Sequence, residues 1–308
     1  MNGASDFTIR QGLESLEDRF GIPGLPLGEA PVFLLSAGWR SGSTLVQRLL
    51  VSSGSLLMWG EPYDHCGLIR TLAGSLRAFA APWPPGSTTG TWPPGGYIVD
   101  PRDPPSPGSW IANAYPHPAD LLASHRALFD RLFSEPARGL GYGQWGVKAV
   151  RLDGEHAGYL NTLYPDARFI FLHRNPWDAW QSYRIRHDER VNAYWWFHRW
   201  PDEEVSTPGH FGAIWKRMAD SFLAWAPLVG AEIIAYESLA RDETLSALDR
   251  AAGAPIDRSV LRKRLGGSGG DRREARPPLD GAERDEIAVA VGDSALRLGY
   301  AGPTGGGA

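Results

Sequence analysis

The stretch from residue 31 to residue 50 constrains the fold more than any other part of the chain. Its apolar run at 32–35 lies between a proline and a glycine, and a run so short and apolar predicts a strand buried on both faces. Small and polar residues follow, and from Ser43 onward leucine and valine recur at helical spacing. Strand, Gly/Ser turn and helix N-terminus together predict an anion site, because unpaired N–H groups and the helix dipole meet there. Arg40 adds a permanent positive charge to the same turn.

This turn does not have the spelling of a nucleoside triphosphatase loop. Such a loop has four residues between its glycines and then a lysine, whereas three residues separate Gly38 from Gly42 and a serine follows. The spelling instead resembles the 5′-phosphosulfate loop of sulfotransferases that use 3′-phosphoadenosine 5′-phosphosulfate (PAPS), in the form found in tyrosylprotein and many bacterial members. Taken alone, such a turn is also compatible with a plain strand–helix connection. The resemblance implies that the 5′-phosphosulfate is held by Arg40, Ser41, Gly42, Ser43, Thr44 and Leu45.

Composition and charge exclude several other classes of protein. The 308 residues are 43% hydrophobic and 21% charged, which is ordinary for a soluble globular chain. A net charge of −4 gives no general nucleic-acid footprint, and the single cysteine allows no intrachain disulfide. The N-terminus lacks the regions of a signal peptide, and no apolar stretch approaches the ~20 residues of a membrane span. We therefore expect a cytoplasmic protein that binds no nucleic acid.

The resemblance covers residues 31–300 and implies one α/β domain. Its expected architecture has three layers, a central and mostly parallel sheet with helices on both faces, related to the nucleotide kinases. Residues 1–30 are expected to form a packing arm, and residues 301–308 a disordered tail. Residues 80–118 are too rich in proline and glycine for regular structure, and we interpret them as a lid over the acceptor or, alternatively, as a flexible insertion. Apolar periodicity predicts further helices at 118–136, 154–164, 210–225 and 283–300.

A second buried strand is predicted at 56–59, beside the first, with Glu61 just after it. A carboxylate at the carboxyl end of a strand lies where open α/β sheets bind ligands, although a capping or ion-paired glutamate fits the same position. A Gly-Glu at this spacing carries the acceptor-deprotonating base in the family, so the resemblance implies that role for Glu61. His65 is the alternative base, because imidazole titrates near neutral pH and the cytosolic branch of the family uses histidine.

Lys148 interrupts the predicted strand at 146–150. A lysine inside a central strand needs an anionic partner, whereas a lysine on an edge strand does not. Related sulfotransferases carry a lysine here that stabilises the bridging oxygen as the sulfuryl group leaves. The resemblance implies that role for Lys148, together with Arg40.

A second motif begins at the end of the most apolar predicted strand, 168–172. Arg174, an Asn-Pro pair and a helix carrying Ser182 resemble the family's 3′-phosphate-binding motif, and Pro176 suits the first turn of that helix. A guanidinium and a hydroxyl on one face can hold one phosphate, and Arg186 is the third expected member. Ordinary surface arginine and serine residues are the alternative.

The last predicted strand, 232–235, leads into Tyr236. The resemblance implies that this tyrosine contacts the adenine, although a tyrosine packed after a strand explains the residue equally well. Ser238 is predicted to cap a helix over 239–252. Residues 262–276 are basic and glycine-rich, and they resemble the loop that closes over the 3′-phosphate in the family.

The function implied by the resemblance is transfer of a sulfuryl group from PAPS to a hydroxyl or amine of a small-molecule, carbohydrate or peptide acceptor, leaving 3′,5′-ADP (PAP). No metal is expected, because no cluster in the sequence has metal-ligand spacing.

Two alternative functions stay open. A kinase on the same fold would need the phosphate-loop lysine that is missing here, and a non-catalytic PAP-binding protein would keep Arg174 and Ser182 but tolerate loss of Glu61 and Lys148. No motif specifies the acceptor or the oligomeric state.

Overall fold

The computed structural model describes residues 7–21, 25, 27–81, 116–184, 199–200, 203–262 and 278–302. Its strands are β1 (Val32–Ser36), β2 (Leu56–Gly60), β3 (Gln144–Ala149), β4 (Arg168–His173), β5 (Arg199–Trp200), β6 (Glu203–Glu204) and β7 (Glu232–Ala235). Five of them form a parallel sheet in the order β2–β3–β1–β4–β7, while β5 and β6 pair antiparallel with each other. The predicted mostly parallel sheet is confirmed.

Helices surround the central sheet. Those of the described ranges are α1 (Ile9–Phe20), α2 (Ser43–Val51), α3 (Leu68–Gly74), α4 (Pro118–Phe129), α5 (Glu135–Gly139), α6 (Gly154–Leu163), α7 (Pro176–Arg184), α8 (Pro208–Val229), α9 (Asp242–Ala252) and α10 (Gly281–Arg297). Alternate side chains of β1 point to two separate cores. Val32 and Leu34 pack with α2 and α9, whereas Phe33 and Leu35 pack with α6 and α8. The fold therefore has the predicted three layers, with both faces of the sheet covered.

β2 lies at an edge of the sheet and not beside β1 as predicted. β3 separates the two strands and pairs Gly60 of β2 with Lys148. β3 is buried along almost all of its length, whereas Leu57 and Trp59 of β2 are partly exposed. A half-exposed strand suits an edge, because only an interior strand needs cover on both faces. As a result, the end of β2 lies next to Lys148.

The helix predicted over 118–136 is divided. α4 ends at Phe129, the residues Asp130–Ser134 form a π turn, and α5 completes the segment. Pro136 has no N–H for the helical ladder, and the wider turn comes immediately before it.

Ser238 does not cap the helix that follows β7, so that prediction is wrong. Residues Tyr236–Ser238 form a 3₁₀ turn, and α9 begins only at Asp242 after the N-cap residue Arg241. The Ser238 hydroxyl donates to the Ala235 carbonyl at 2.8 Å, so it closes the tight turn. A serine hydroxyl can bond within a turn or cap a helix, and here it bonds within the turn.

α1, in the predicted N-terminal arm, packs into the same core as α6. Ile9, Leu13 and Leu16 are buried, and the Ile9 N–H donates to the Glu155 carboxylate at 3.0 Å. A Cβ on Gly12 would lie 2.1 Å from the Leu76 carbonyl oxygen, so the two segments touch backbone to backbone.

Parts of the sequence predictions lie outside the described residues. These parts are most of the proposed lid (82–115), most of the basic loop (263–277), Arg186 and residues 303–308. In the ranges that the structure does describe, no helix is both long and apolar enough to cross a bilayer.

Candidate active site

The turn between β1 and α2 has the backbone of an anion site. Gly38, Arg40 and Gly42 all have positive φ, at 81°, 61° and 88°. Positive φ at alternate residues is typical of the backbone concavities that bind anions through their N–H groups. Gly42 is also the N-cap of α2 and has no side chain to cap it. The Leu45 N–H donates to the Gly42 carbonyl at 2.9 Å, so the Ser43 and Thr44 N–H groups are the ones without a hydrogen-bond partner among the described residues.

Glu61 and Lys148 form an ion pair at the carboxyl ends of two neighbouring strands. The Lys148 ammonium donates to the Glu61 carboxylate, and the Glu61 N–H donates to the Lys148 carbonyl at 2.8 Å. The lysine side chain is only 8% exposed, against 25% for the glutamate. Lys148 lies on an interior strand, so it has the anionic partner that such a position requires.

A second ion pair lies beside the first, and the sequence reasoning missed it. The Arg151 guanidinium donates to the Asp64 carboxylate and lies 5.2 Å from the centre of the Trp39 ring. Burial lowers the pKa of Arg151, and the Glu61 charge opposes that shift. The available signal was a basic residue just after a buried strand, at the edge where open α/β sheets bind ligands.

The residues predicted to hold the 3′-phosphate meet the turn between β1 and α2. Arg40 donates through Nε to the Ser182 hydroxyl at 3.0 Å, and Arg174 donates to the Arg40 carbonyl at 3.0 Å. The structure thus brings Arg40, Arg174 and Ser182 into one chain of contacts. The Nε of Arg174 is buried and has no hydrogen-bond partner within the described residues, which leaves a donor for a ligand.

Tyr236 packs against the same group. Its ring lies 4.6 Å from the guanidinium carbon of Arg174, a cation–π contact. A Cβ on Gly42 would lie 2.1 Å from a ring carbon of Tyr236, so only glycine allows this approach. Of the remaining predicted residues, His65 lies in the 3₁₀ turn Asp64–Cys66, where only its backbone is described, and Arg186 lies outside the described residues.

The charges at this edge of the sheet favour an anionic ligand. Among the side chains described above, the cations are Arg40, Lys148, Arg151 and Arg174, and the carboxylates are Glu61 and Asp64. Within the ranges that the structure covers, no group of three or more His, Cys, Asp or Glu side chains could hold a metal ion.

Comparison with known proteins gives a family. A sequence profile described as "Sulfotransferase family" matches residues 31–248. A search of curated proteins finds no match.

A search of solved structures finds matches that include three bacterial sulfotransferases. The sulfotransferase domain of the Synechococcus PCC 7002 olefin synthase is 18% identical, with a TM-score of 0.44 over 90% of this chain and 95% of that one. A sulfotransferase from Alicyclobacillus acidocaldarius is 15% identical, with a TM-score of 0.44 over 88% of this chain and 95% of that one. A sulfotransferase from Mycobacterium avium is 17% identical, with a TM-score of 0.40 over 94% of this chain and 80% of that one.

Proposed function

The chain belongs to the sulfotransferase family, and we therefore propose that it transfers a sulfuryl group from PAPS to a hydroxyl or amine, leaving PAP. The acceptor is a small molecule, a carbohydrate or a peptide. The observation that carries the proposal is the partly buried ion pair of Glu61 and Lys148. Its lysine lies on β3, the strand beside β1, and its glutamate follows β2, the next strand outward. A base and a cation side by side at the ligand-binding edge of an α/β sheet suit group transfer to an acceptor that must lose a proton.

The residues at this edge fit the two ends of PAPS. The uncapped N-terminus of α2 and the Arg40 side chain would hold the 5′-phosphosulfate. Arg174 and Ser182 would hold the 3′-phosphate, and the buried Nε of Arg174 is a donor with no protein partner in the described ranges. Tyr236 would contact the adenine from its place against Gly42.

The chemistry divides between two side chains. PAPS supplies a sulfuryl group whose bond to the bridging oxygen breaks as the acceptor oxygen or nitrogen bonds to sulfur. Glu61 would take the proton that the acceptor loses. Lys148 has three N–H donors, so it can keep its bond to Glu61 while it stabilises the negative charge on the bridging oxygen. Arg40 would add to that stabilisation from the phosphate loop.

Calorimetric titration with PAP, 5′-ADP and ATP·Mg²⁺ tests the proposal. 5′-ADP carries its second phosphate at the 5′ end and lacks the 3′-phosphate that Arg174 and Ser182 would hold, so PAP should bind at least about tenfold more tightly. The Arg174→Gln variant should narrow that difference, whereas Arg258→Gln, at an exposed ion pair on the surface, should keep it. Equal or tighter binding of ATP·Mg²⁺ would overturn the proposal in favour of a kinase.

A further inference from the structure

Tyr300 connects two parts of the chain that are far apart in sequence. Its side chain is buried just after α10, and its hydroxyl donates to the Glu237 carboxylate at 2.8 Å. The same hydroxyl lies 2.8 Å from Nδ1 of His173, the last residue of β4. Glu237 lies in the 3₁₀ turn that follows β7, so one hydroxyl ties the carboxyl ends of two adjacent strands together.

Both residues that Tyr300 contacts are next in sequence to residues of the nucleotide site. Arg174 directly follows His173, and Tyr236 directly precedes Glu237. Arg174 and Tyr236 are the cation–π pair whose centres lie 4.6 Å apart. The placement of this pair therefore depends on how the ends of β4 and β7 are held.

Other contacts make the same region rigid. The second oxygen of Glu237 accepts from the Asn175 N–H at 3.0 Å, and the Asn175 amide donates to the Gly302 carbonyl at 2.8 Å. The Trp215 indole donates to the Arg174 carbonyl at 2.9 Å. Arg174 is thus flanked on both sides by residues whose polar groups are already used within the protein.

The protons in this network have one consistent arrangement. The Tyr300 hydroxyl has a single proton, which it gives to Glu237, so its oxygen accepts from the Nδ1–H of a neutral His173. Burial lowers the pKa of His173 to about 4, against a smaller opposing effect of the Glu237 charge. Burial, and then the Glu237 charge, raise the pKa of Tyr300. At neutral pH the network therefore holds a neutral phenol and a neutral imidazole.

We propose that Tyr300 is a positioning residue of the donor site, which fixes Arg174 against Tyr236 so that the pair recognises a nucleotide with a 3′-phosphate. This inference rests on the proposed function. Tyr300 acts on β4 and β7, whereas Glu61 and Lys148 lie at the ends of β2 and β3, at the other side of the sheet. Its loss should therefore weaken donor binding and leave the chemical step nearly unchanged.

The Tyr300→Phe variant tests this by removing one oxygen atom. We expect its affinity for PAP to fall about tenfold and its affinity for 5′-ADP to fall much less, so that the preference for PAP narrows. The KM for PAPS should rise by a similar factor, with kcat and the acceptor KM within about twofold of the wild-type values.

A matched control is Tyr164→Phe. Tyr164 is also buried, and its hydroxyl donates to the Asp130 carboxylate at 2.7 Å. It lies before β4, at the opposite end of that strand from Arg174. Tyr164→Phe also removes one hydroxyl oxygen that donates to a partly buried carboxylate. The stability of this variant should therefore fall, while its preference for PAP over 5′-ADP stays at the wild-type value.

The outcomes separate the two proposals. If wild-type protein prefers PAP and Tyr300→Phe keeps that preference, Tyr300 has only a structural role and this inference is overturned. If wild-type protein does not prefer PAP over 5′-ADP, the proposed function fails and the inference fails with it. If Tyr300→Phe does not fold, Glu237→Gln removes the acceptor charge from the same bond and should narrow the preference for PAP; an unchanged preference there overturns the inference.

Discussion

Glu61 and Tyr63 have backbone conformations that few residues other than glycine adopt, with φ at 48° and 55°. Such angles cost about 1–3 kcal/mol each and persist where the surrounding contacts impose them. At Glu61 those contacts are the N–H bond to the Lys148 carbonyl and the side-chain ion pair with the same residue. The direction of the Glu61 carboxylate is therefore fixed from both its backbone and its side chain.

Replacing Glu61 by glutamine should stop proton transfer while keeping the shape of the side chain. Since general base catalysis typically contributes about 10²- to 10⁴-fold, kcat with labelled PAPS should fall within that range. PAP affinity, measured by calorimetry, should change by less than about threefold, because the residues proposed to hold the donor follow other strands. Glu14→Gln, at an exposed ion pair on α1, is the control and should behave as wild type. Unchanged turnover in Glu61→Gln would remove this residue as the base and leave His65.

Single residues of the candidate site could be predicted where a strand leads directly into them. Glu61, Arg174 and Tyr236 each follow an apolar run and so lie at the carboxyl edge of the sheet, where Arg174 contacts Tyr236 while Glu61 lies on the other side of the strand order. Tyr300 could not be assigned in this way, because its partners lie 127 and 63 residues away and nothing local indicates them.

At the scale of elements, the turn between β1 and α2 depends on two glycines in different ways. Gly38 and Gly42 both have positive φ, but a Cβ on Gly38 would meet nothing within 4 Å, whereas a Cβ on Gly42 would overlap Tyr236. Substitutions at these two glycines therefore distinguish the cost of a left-handed backbone from the cost of a steric clash with Tyr236.

Alanine substitutions at the two positions should lower the free energy of unfolding by different amounts. Gly38→Ala should lower the free energy of unfolding by about 1–2 kcal/mol, the cost of a left-handed alanine. Gly42→Ala should cost more, by about a further 1–3 kcal/mol of overpacking, and should weaken PAP binding because Tyr236 is displaced. Urea unfolding and PAP titration measure the two effects. Equal stability losses, with equal PAP affinity, would show that Tyr236 yields easily and is not held in place by Gly42.

The elements themselves differ in how well the sequence predicts them. The apolar runs at β1 and β4 locate those strands to within one residue, because burial on both faces demands continuous apolar side chains. The predicted start of α9 was wrong because Ser238 is a plausible N-cap residue. A hydroxyl alone does not indicate whether it bonds within a turn or caps a helix.

At the scale of the whole molecule, the strand order separates the site into two halves. Glu61 and Lys148 lie on the β2–β3 side, Arg174 and Tyr236 lie on the β4–β7 side, and the turn between β1 and α2 lies between them. The three-layer class could be predicted from the pattern of strands and helices. The position of β3 between β1 and β2 could not, because strand order depends on contacts between distant segments.

The stability of the whole chain should fall in mild acid because of His173. Its pKa is about 4 in the folded protein, below the ordinary value of 6.5, so between these values the unfolded chain binds more protons. The contribution of neutral His173 to the free energy of unfolding is complete above about pH 6.5 and is lost as the pH falls towards 4. Between pH 7 and pH 5 the free energy of unfolding should therefore fall by about 2 kcal/mol.

Urea unfolding at several pH values measures this effect. His173→Asn removes the titrating group and should flatten the slope of unfolding free energy against pH in that range. His210→Asn, at an exposed position in the first turn of α8, should retain the wild-type slope. A slope in His173→Asn as steep as in wild type would contradict the assignment.

The contact between Tyr300 and His173 has a consequence for how the protein is made. A ribosome adds residue 300 long after it has added β1, α2 and β4, so most of the sheet can assemble before Tyr300 contacts the end of β4. The hydroxyl that joins the ends of β4 and β7 is therefore absent until the segment after α10 has been synthesised. If the proposed donor nucleotide binds the folded chain, it then shifts the equilibrium further towards the folded state.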